Sequence, residues 1–520
     1  MPARVLVIGL DSCSATLLDR WADAGHLPHL AALRKRASQF HLDAECMETL
    51  PGAIWSEIAF GEPGWRQGQF FHPQQYDPED SACRPLRESE IDGRRSVWGA
   101  ASEAGRRCAV VDVPFMPLLT NFNGIQLREF AVHDSWAGAA SSPAALIDEL
   151  HTRHGKSPLH SFTCDRRIPI VGRTKLYEEL RAQADLKTEV LRDLMARESW
   201  DLFLAIYGEA HCASHQLWPH RQDGKLVPSV AGLSDPWEPT RQIYARIDAG
   251  IGALIAAAGA DARVILFTSH GVGFYLGGPQ LLPEILRRLG LSDGNEWPGR
   301  RALRRWALSL RSRIQVSAIE DVTSLQTPRA QRLRSWLGAE RFPASSPRCR
   351  AFAVFNNRIG AIRLKIAGRD LGGMVAPEEV DGLLEAITRE LNSLVEPDTG
   401  RNLVRRVDRA DARLGAERSP LTPDLLVKFR TDLGPIEHAY SPRLGTIHVP
   451  NARPLYERYG DHVPQSRAWI ALPSRRGGEK ITHRNVLDLG PTILSFLNVV
   501  PPSHMTGRSL YSDSEVAATP

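Results

Sequence analysis

Five residues whose side chains suit a divalent cation lie beside short apolar runs: Asp11 after VLVIGL, His211 and His215 after LFLAIY, His270 after VILFTS, and His462 shortly before AWIALP. In EAHCASHQLW the two histidines stand four apart, a spacing that puts both on one face of a helical turn and lets them address one ion. His462, in YGDHVPQS, supplies a third imidazole. Three nitrogen donors leave a fourth tetrahedral position open to water or substrate, which is the style of a catalytic rather than a structural site. The pattern lacks the Glu of H-E-x-x-H, so the zincin protease chemistry is not written here. One such residue alone is more often a loop aspartate or a satisfied histidine; the set is what points to a metal.

The elements that must position these residues are legible as runs rich in Val, Ile and Leu: 4–10, 108–115, 201–207, 263–269, 424–429 and 468–473. They are continuous rather than alternating, as strands covered on both faces are, and helical patterns separate most of them. This predicts an α/β fold, a three-layer α/β/α sandwich around a mostly parallel sheet, in which ligand-binding residues gather at the carboxyl ends of strands. Between about Pro283 and Pro423 the composition changes to Arg-rich helix, then AFAVFNNRIGAIRLKIAG with hairpin-like alternation, then the helix PEEVDGLLEAITRELNSLV. The expected organisation is a core of residues 1–282 and 424–512, with residues 283–423 as an inserted, substrate-shaping cap. Strand-like runs resume at Asp424 and are expected to return to the core sheet.

The chain has 520 residues, 42% hydrophobic and 24% charged, with net charge +4 and pI near 8.7, the profile of a globular protein with no demand for a nucleic-acid polymer. RRALRRWALSLRSR, Arg300 to Arg313, reads as a solvated amphipathic helix because Ala, Leu and Trp interleave its arginines. The seven cysteines never fall in a C-x-x-C spacing, so neither a disulfide framework nor a zinc knuckle is expected. The six-residue apolar run before Asp11 is short for a signal peptide, and no window approaches a membrane span. A cytoplasmic protein with no membrane partner is the expectation. Oligomeric state is not readable.

Five separated motifs, in order, resemble the alkaline phosphatase superfamily, nearest to its type I phosphodiesterase/nucleotide pyrophosphatase branch. VLVIGLDS followed by GHLPHLAAL resembles the family opening, which implies that Asp11 binds metal. ETLPGAIWSEIAFGEPG resembles the nucleophile segment and maps Thr49 to the nucleophile, with Ser56 as the alternative. YGEAHCASH resembles the paired ligand motif D-x-x-x-H, with His211 where aspartate is usual and His215 matching. LFTSHGVG resembles S-D-H-G-M, with Ser269 at the aspartate and His270 matching. GDH at 460–462 resembles the late metal histidine, and VLDLGPTILSFLNVVPPSHMTGRSL the helix and tail after it. The resemblance implies a metal-dependent hydrolase of a small-molecule phosphate ester, in which Thr49 attacks and water opens the phosphoenzyme. ETLPGAIW lacks the C-x-P-x-R segment of a sulfatase.

The departures alter the electrostatics. Of the carboxylates usual at positions 11, 211 and 269, only Asp11 remains, so a pair of divalent ions would carry about +3 against about +1 in the usual pattern by ligand-charge counting. The expectation is that the three-histidine position keeps its ion and the position of Asp11, Thr49 and His270, with Ser269 vestigial, binds weakly. Zinc suits the histidine set, with manganese or iron as alternatives. The other reading is a family member that transfers its group to an acceptor other than water, or that binds with little catalysis. Glu209, His133 and Asp134 are second-tier candidates: Glu209 to orient His211 or face solvent, His133 and Asp134 to shape the pocket or form a turn. Asp461 is expected to support its loop, and Cys212 to pack.

Overall fold

The computed structural model describes residues 3–48, 53–68, 74–77, 82–85, 95–131, 138–159, 170–222, 225–274, 276–292, 348–354, 359–436, 438–448, 460–473 and 481–512. Thr49, His133, Asp134 and the Arg300–Arg313 helix lie outside them.

The central sheet is mixed and mostly parallel. Its nine described strands run in the order Ile481–Asn485, Ser38–Asp43, Ser466–Ala471, Arg263–Thr268, Ala3–Leu10, Trp200–Tyr207, Cys108–Val111, Gly124–Arg128 and Ala140–Ser142. Strand Ala3–Leu10 is flanked on both sides by parallel partners, with Leu10 opposite Thr268 on one side and Tyr207 on the other. Ser466–Ala471 and Ala140–Ser142 run antiparallel to their neighbours.

Alternate residues of each central strand feed opposite faces, as the two-residue period of a strand requires. Leu6, Ile8, Val264, Leu266, Phe203 and Ala205 enter one buried cluster with helices Ala15–Asp23, Ile170–Arg197 and Glu238–Ala258. Val5, Val7, Ile265, Phe267, Leu202 and Leu204 enter a second with helices Ile54–Phe60, Val97–Glu103 and Leu489–Phe496. Both faces are dry, which is why these strands read as unbroken apolar runs, and the layers are helix, sheet, helix.

One strand differs from expectation. Leu425–Phe429 does not return to the central sheet but lies inside a four-stranded antiparallel sheet, between Ile359–Leu364 and Val404–Arg409, with Ala351–Val354 at the other edge. Helix Val380–Asn392 packs on it, and Leu281, Leu282, Ile285, Leu384, Ile387 and Val427 share its buried cluster. The opposite face of the same sheet, through Phe352, Ala361 and Leu426, joins the second core cluster. A strand buried on both faces here has the same apolar signature as a strand of the main sheet, so composition alone did not separate them. Among the described residues, no helix is long and apolar enough to cross a membrane.

Candidate functional site

Three adjacent parallel strands end level with one another. The amide of Asp11 donates to the Tyr207 carbonyl at 3.0 Å, and the amide of Ser269 donates to the Leu10 carbonyl at 3.1 Å. Residues that follow each strand are thereby set side by side at the carboxyl edge, where this class of sheet builds its sites. The chain then turns at Ser12, a non-glycine residue at φ +51°, held by its amide donating to Ser269 Oγ (3.3 Å) and its carbonyl accepting from Ser214 Oγ (3.1 Å).

Helix Glu209–Gln216 follows Trp200–Tyr207 and presents His211 and His215 on one face, with ring centroids 4.5 Å apart. His462 arrives on strand Gly460–Val463, which pairs antiparallel with Gly271–Phe274, so the segment after His270 carries His462 opposite Val272. The three Nε2 atoms converge: 2.9 Å from His211 to His215, 2.8 Å from His215 to His462, and 3.0 Å from His211 to His462.

Hydrogen bonding fixes how one of these rings is used. His215 Nδ1 lies 2.8 Å from the carbonyl oxygen of Gly460, an acceptor only, so Nδ1 carries the proton and the neutral ring turns a bare Nε2 lone pair toward its two neighbours. Burial pushes this ring down to about 4, against the pull of the Gly460 carbonyl, and so keeps it neutral at pH 7. Residue 460 must be glycine for this contact, because a Cβ there would collide with the Ser214 carbonyl. A cluster of lone-pair nitrogens, oriented from behind by a backbone carbonyl, fits a zinc-type cation.

The neighbouring group is built differently. Asp11 Oδ1 accepts hydrogen bonds from Ser269 Oγ (3.0 Å) and Trp55 Nε1 (3.1 Å), while Oδ2 lies 3.8 Å from His211 Nδ1. His270 Nε2 is 3.8 Å from Oδ1 and 3.2 Å from Ser12 Oγ. Burial raises the Asp11 carboxyl to about 6, opposed by the Ser269 and Trp55 donors. Among the described residues His211, His215 and His462 form a three-donor group, whereas Asp11 and His270 belong to none. Thr49, the third member of the position expected for a second cation, lies outside the described residues.

The remaining sequence candidates fall as follows. Ser56 is buried on helix Ile54–Phe60 and its hydroxyl donates to the Ala53 carbonyl at 2.8 Å. Cys212 is buried in the first core cluster. Asp461 Oδ1 accepts from the His462 amide at 2.8 Å. Glu209 does not face solvent: it is fully buried, accepts from Gln183 Nε2 (3.2 Å) and lies 3.7 Å from Lys187 Nζ. Burial raises its carboxyl, with Lys187 opposing. Lys187 in turn reaches Asp112 Oδ2 at 2.9 Å and donates to the Ile206 carbonyl at 2.9 Å. Burial pulls this ammonium down, but Asp112 and Glu209 outweigh it and leave it above its ordinary value.

Sequence reasoning missed Trp55, Ser12, Gly460 and Lys187. Lys187 carried a signal, since it interrupts the buried stripe Leu180, Ala184, Leu191, Leu194 of its helix at the same four-three spacing. The indole of Trp55 reads as core in any sequence.

Asp11 and His215 oppose one another in the cation-free protein. His215, lowered from 6.5 to about 4, contributes stability present above 6.5 and lost as pH falls through 4. Asp11, raised from 3.8 to about 6, contributes stability present below 3.8 and lost as pH rises through 6. Asp11→Asn removes only the second contribution. Urea unfolding in chelator is expected to show the variant gaining on the parent as pH rises from 4 to 7, by on the order of 3 kcal/mol. A difference that is flat with pH would contradict this.

No family model matches the chain, and no curated protein matches it. Solved structures similar to it include phosphonoacetate hydrolase from Sinorhizobium meliloti 1021 in complex with phosphonoformate, at 14% identity and TM-score 0.49, covering 94% of each chain. Murine ectonucleotide pyrophosphatase/phosphodiesterase 5 is similar at 10% identity and TM-score 0.48, covering 96% of each chain. The human protein of that name is similar at 11% identity and TM-score 0.48, covering 97% of each.

Proposed function

We propose that the chain is a metal-dependent hydrolase of small-molecule phosphate esters, of the phosphodiester or nucleotide-pyrophosphate type. The observation that carries this reading is the convergence of three Nε2 atoms within 3.0 Å, one with its lone pair set by the Gly460 carbonyl. His211, His215 and His462 would hold the ion, for which zinc is the best match. Three neutral ligands leave a divalent charge undiminished, so the bound ion supplies an electron-poor centre for an anionic oxygen.

The chain's own residues do the rest. Thr49 is the proposed nucleophile, attacking phosphorus and displacing the leaving group, after which water opens the phosphoenzyme. Supporting this, Trp55 donates to Asp11 and so anchors helix Ile54–Phe60, which follows Thr49 in the sequence, at the sheet edge. Ser56, buried and committed to the Ala53 carbonyl, is the poorer nucleophile. The four-stranded sheet and helix Val380–Asn392 are proposed to shape the leaving-group side. A second reading, transfer to an acceptor other than water, draws on Ser269 standing where the resemblance leads one to expect a carboxylate; product analysis with and without an alcohol acceptor separates the two.

The test is turnover of a chromogenic phosphodiester and a monoester by the purified chain, with and without chelator. Turnover abolished by chelator, and reduced on the order of 10³-fold or more in Thr49→Ala, is expected. Chelator-insensitive turnover, or a Thr49→Ala variant at parental rate, rejects the reading.

A further inference from the structure

We infer that His41, Asp43 and His483 form a further cation site, at one edge of the central sheet, which takes a zinc-type divalent ion and clips the outermost strand to its neighbour. The site shares no residue with the three-imidazole group and does not depend on the proposed reaction.

Strand register builds it. Phe40 and Leu42 of strand Ser38–Asp43 enter the second core cluster, so the two-residue period turns His41 and Asp43 together to the opposite face. Strand Ile481–Asn485 pairs with this strand in parallel and sets His483 directly opposite His41. The two imidazole rings lie with centroids 4.8 Å apart, inclined at 39°. Asp43 Oδ1 is 3.8 Å from His41 Nε2, and one ligand atom from each of the three residues lies within 4.8 Å of the others.

At 3.8 Å the carboxylate and the imidazole do not hydrogen-bond each other. Two donors bound to a tetrahedral ion at about 2.0–2.1 Å stand about 3.3 Å apart, so a shift of about half an ångström admits an ion between them. His41 is half-buried and fixed, whereas Asp43 and His483 are exposed, and their broad terminal torsions supply the adjustment. Across the other flanking strand, Arg467 stands opposite His41 but reaches Asp19 Oδ2, at 3.4 Å. The group Glu396, Asp398 and His438 has similar donors, but there the Glu396 carboxylate is committed to a turn, accepting from the amides of Asp398 (3.2 Å) and Thr399 (2.7 Å).

Two imidazoles and one carboxylate match zinc better than magnesium or calcium, which prefer oxygen alone. The carboxylate offsets one of the two charges, and a fourth position stays open to water. Strand Ile481–Asn485 is the outermost of the nine, paired on one side only, and leads into helix Leu489–Phe496 of the second core cluster. An ion held by both strands binds the folded chain and not the unfolded one, so it stabilises that edge by mass action.

The test uses the full-length His215→Ala chain, in which the three-imidazole group is broken, titrated with zinc against a chromogenic chelator. One zinc per chain is expected, at the weaker affinity of an exposed site. His483→Ala and Asp43→Asn, each added to His215→Ala, are expected to weaken it on the order of 10-fold or more. Both replaced residues are exposed, and the urea midpoints of the three chains are expected to coincide in chelator. Zinc at a concentration that saturates His215→Ala is expected to raise its midpoint above the other two. No zinc on His215→Ala, or residual zinc held equally by all three chains, overturns the site and leaves the proposed function standing. Zinc binding without a rise in midpoint overturns the clip.

Discussion

His215→Ala is expected to lose the bound ion, with zinc affinity falling on the order of 10³-fold and chelator-sensitive turnover falling to background. Of the three imidazoles His215 is fully buried, lies within 2.9 Å of both partners, and has its protonation fixed by a backbone carbonyl. Its removal leaves two donors. Restoring a nitrogen of the wrong kind does not help: His215→Gln offers an amide whose donor and acceptor ends both differ from a bare imidazole lone pair. Competition titration with a zinc indicator reads the affinity directly. Retention of parental affinity in His215→Ala would mean that the convergence of the three rings is a packing feature with no ion.

The second large effect is expected away from the site. Lys187→Met should destabilise the fold by about 3–5 kcal/mol, because it leaves the Asp112 and Glu209 carboxylates buried without their cation. The ammonium also holds the end of strand Trp200–Tyr207 through the Ile206 carbonyl, and Asp112 accepts from the amides of Phe130 (2.8 Å) and Ala131 (3.0 Å). Three strand-end loops therefore meet on one lysine. Adding Glu209→Gln to Lys187→Met should recover part of the loss, since one of the two stranded charges is then gone. Equilibrium urea unfolding measures both. A Lys187→Met variant as stable as the parent would show that the cluster is not ionised as its geometry implies.

How much of this was legible depends on what kind of information each feature needs. The strand positions and their burial were readable because a strand covered on both faces has no polar alternation, as Val5 to Ile8 and Val264 to Phe267 show. Direction was not readable. Ser466–Ala471 is as buried as its neighbour Arg263–Thr268 yet runs against it, because burial records which faces are dry and not which way the ladder runs. Leu425–Phe429 belongs to the four-stranded sheet although its burial reads like that of a central strand, for the same reason.

At the site, the residues with unmistakable chemistry stood out: Asp11, His211, His215, His270 and His462 all lie at or near the carboxyl edge, and the structure brings three of the imidazoles to one point. The groups that orient them did not stand out, since a backbone carbonyl at Gly460 and an indole N–H at Trp55 have no signature of their own. Ser269 was legible as an anomaly but not as a donor to Asp11, a role that only the register of adjacent strands reveals.

The ladder between Gly271–Phe274 and Gly460–Val463 also sets when the donor set can exist. His211 and His462 stand 251 positions apart, and the Gly460 carbonyl that orients His215 comes from the same late segment. A chain emerging from the ribosome therefore holds only two of the three nitrogens until the 251 residues from His211 to His462 have followed, on the order of half a minute of synthesis at ordinary rates. On the proposed reading, tight capture of an ion waits until the segment carrying His462 has folded against helix Glu209–Gln216.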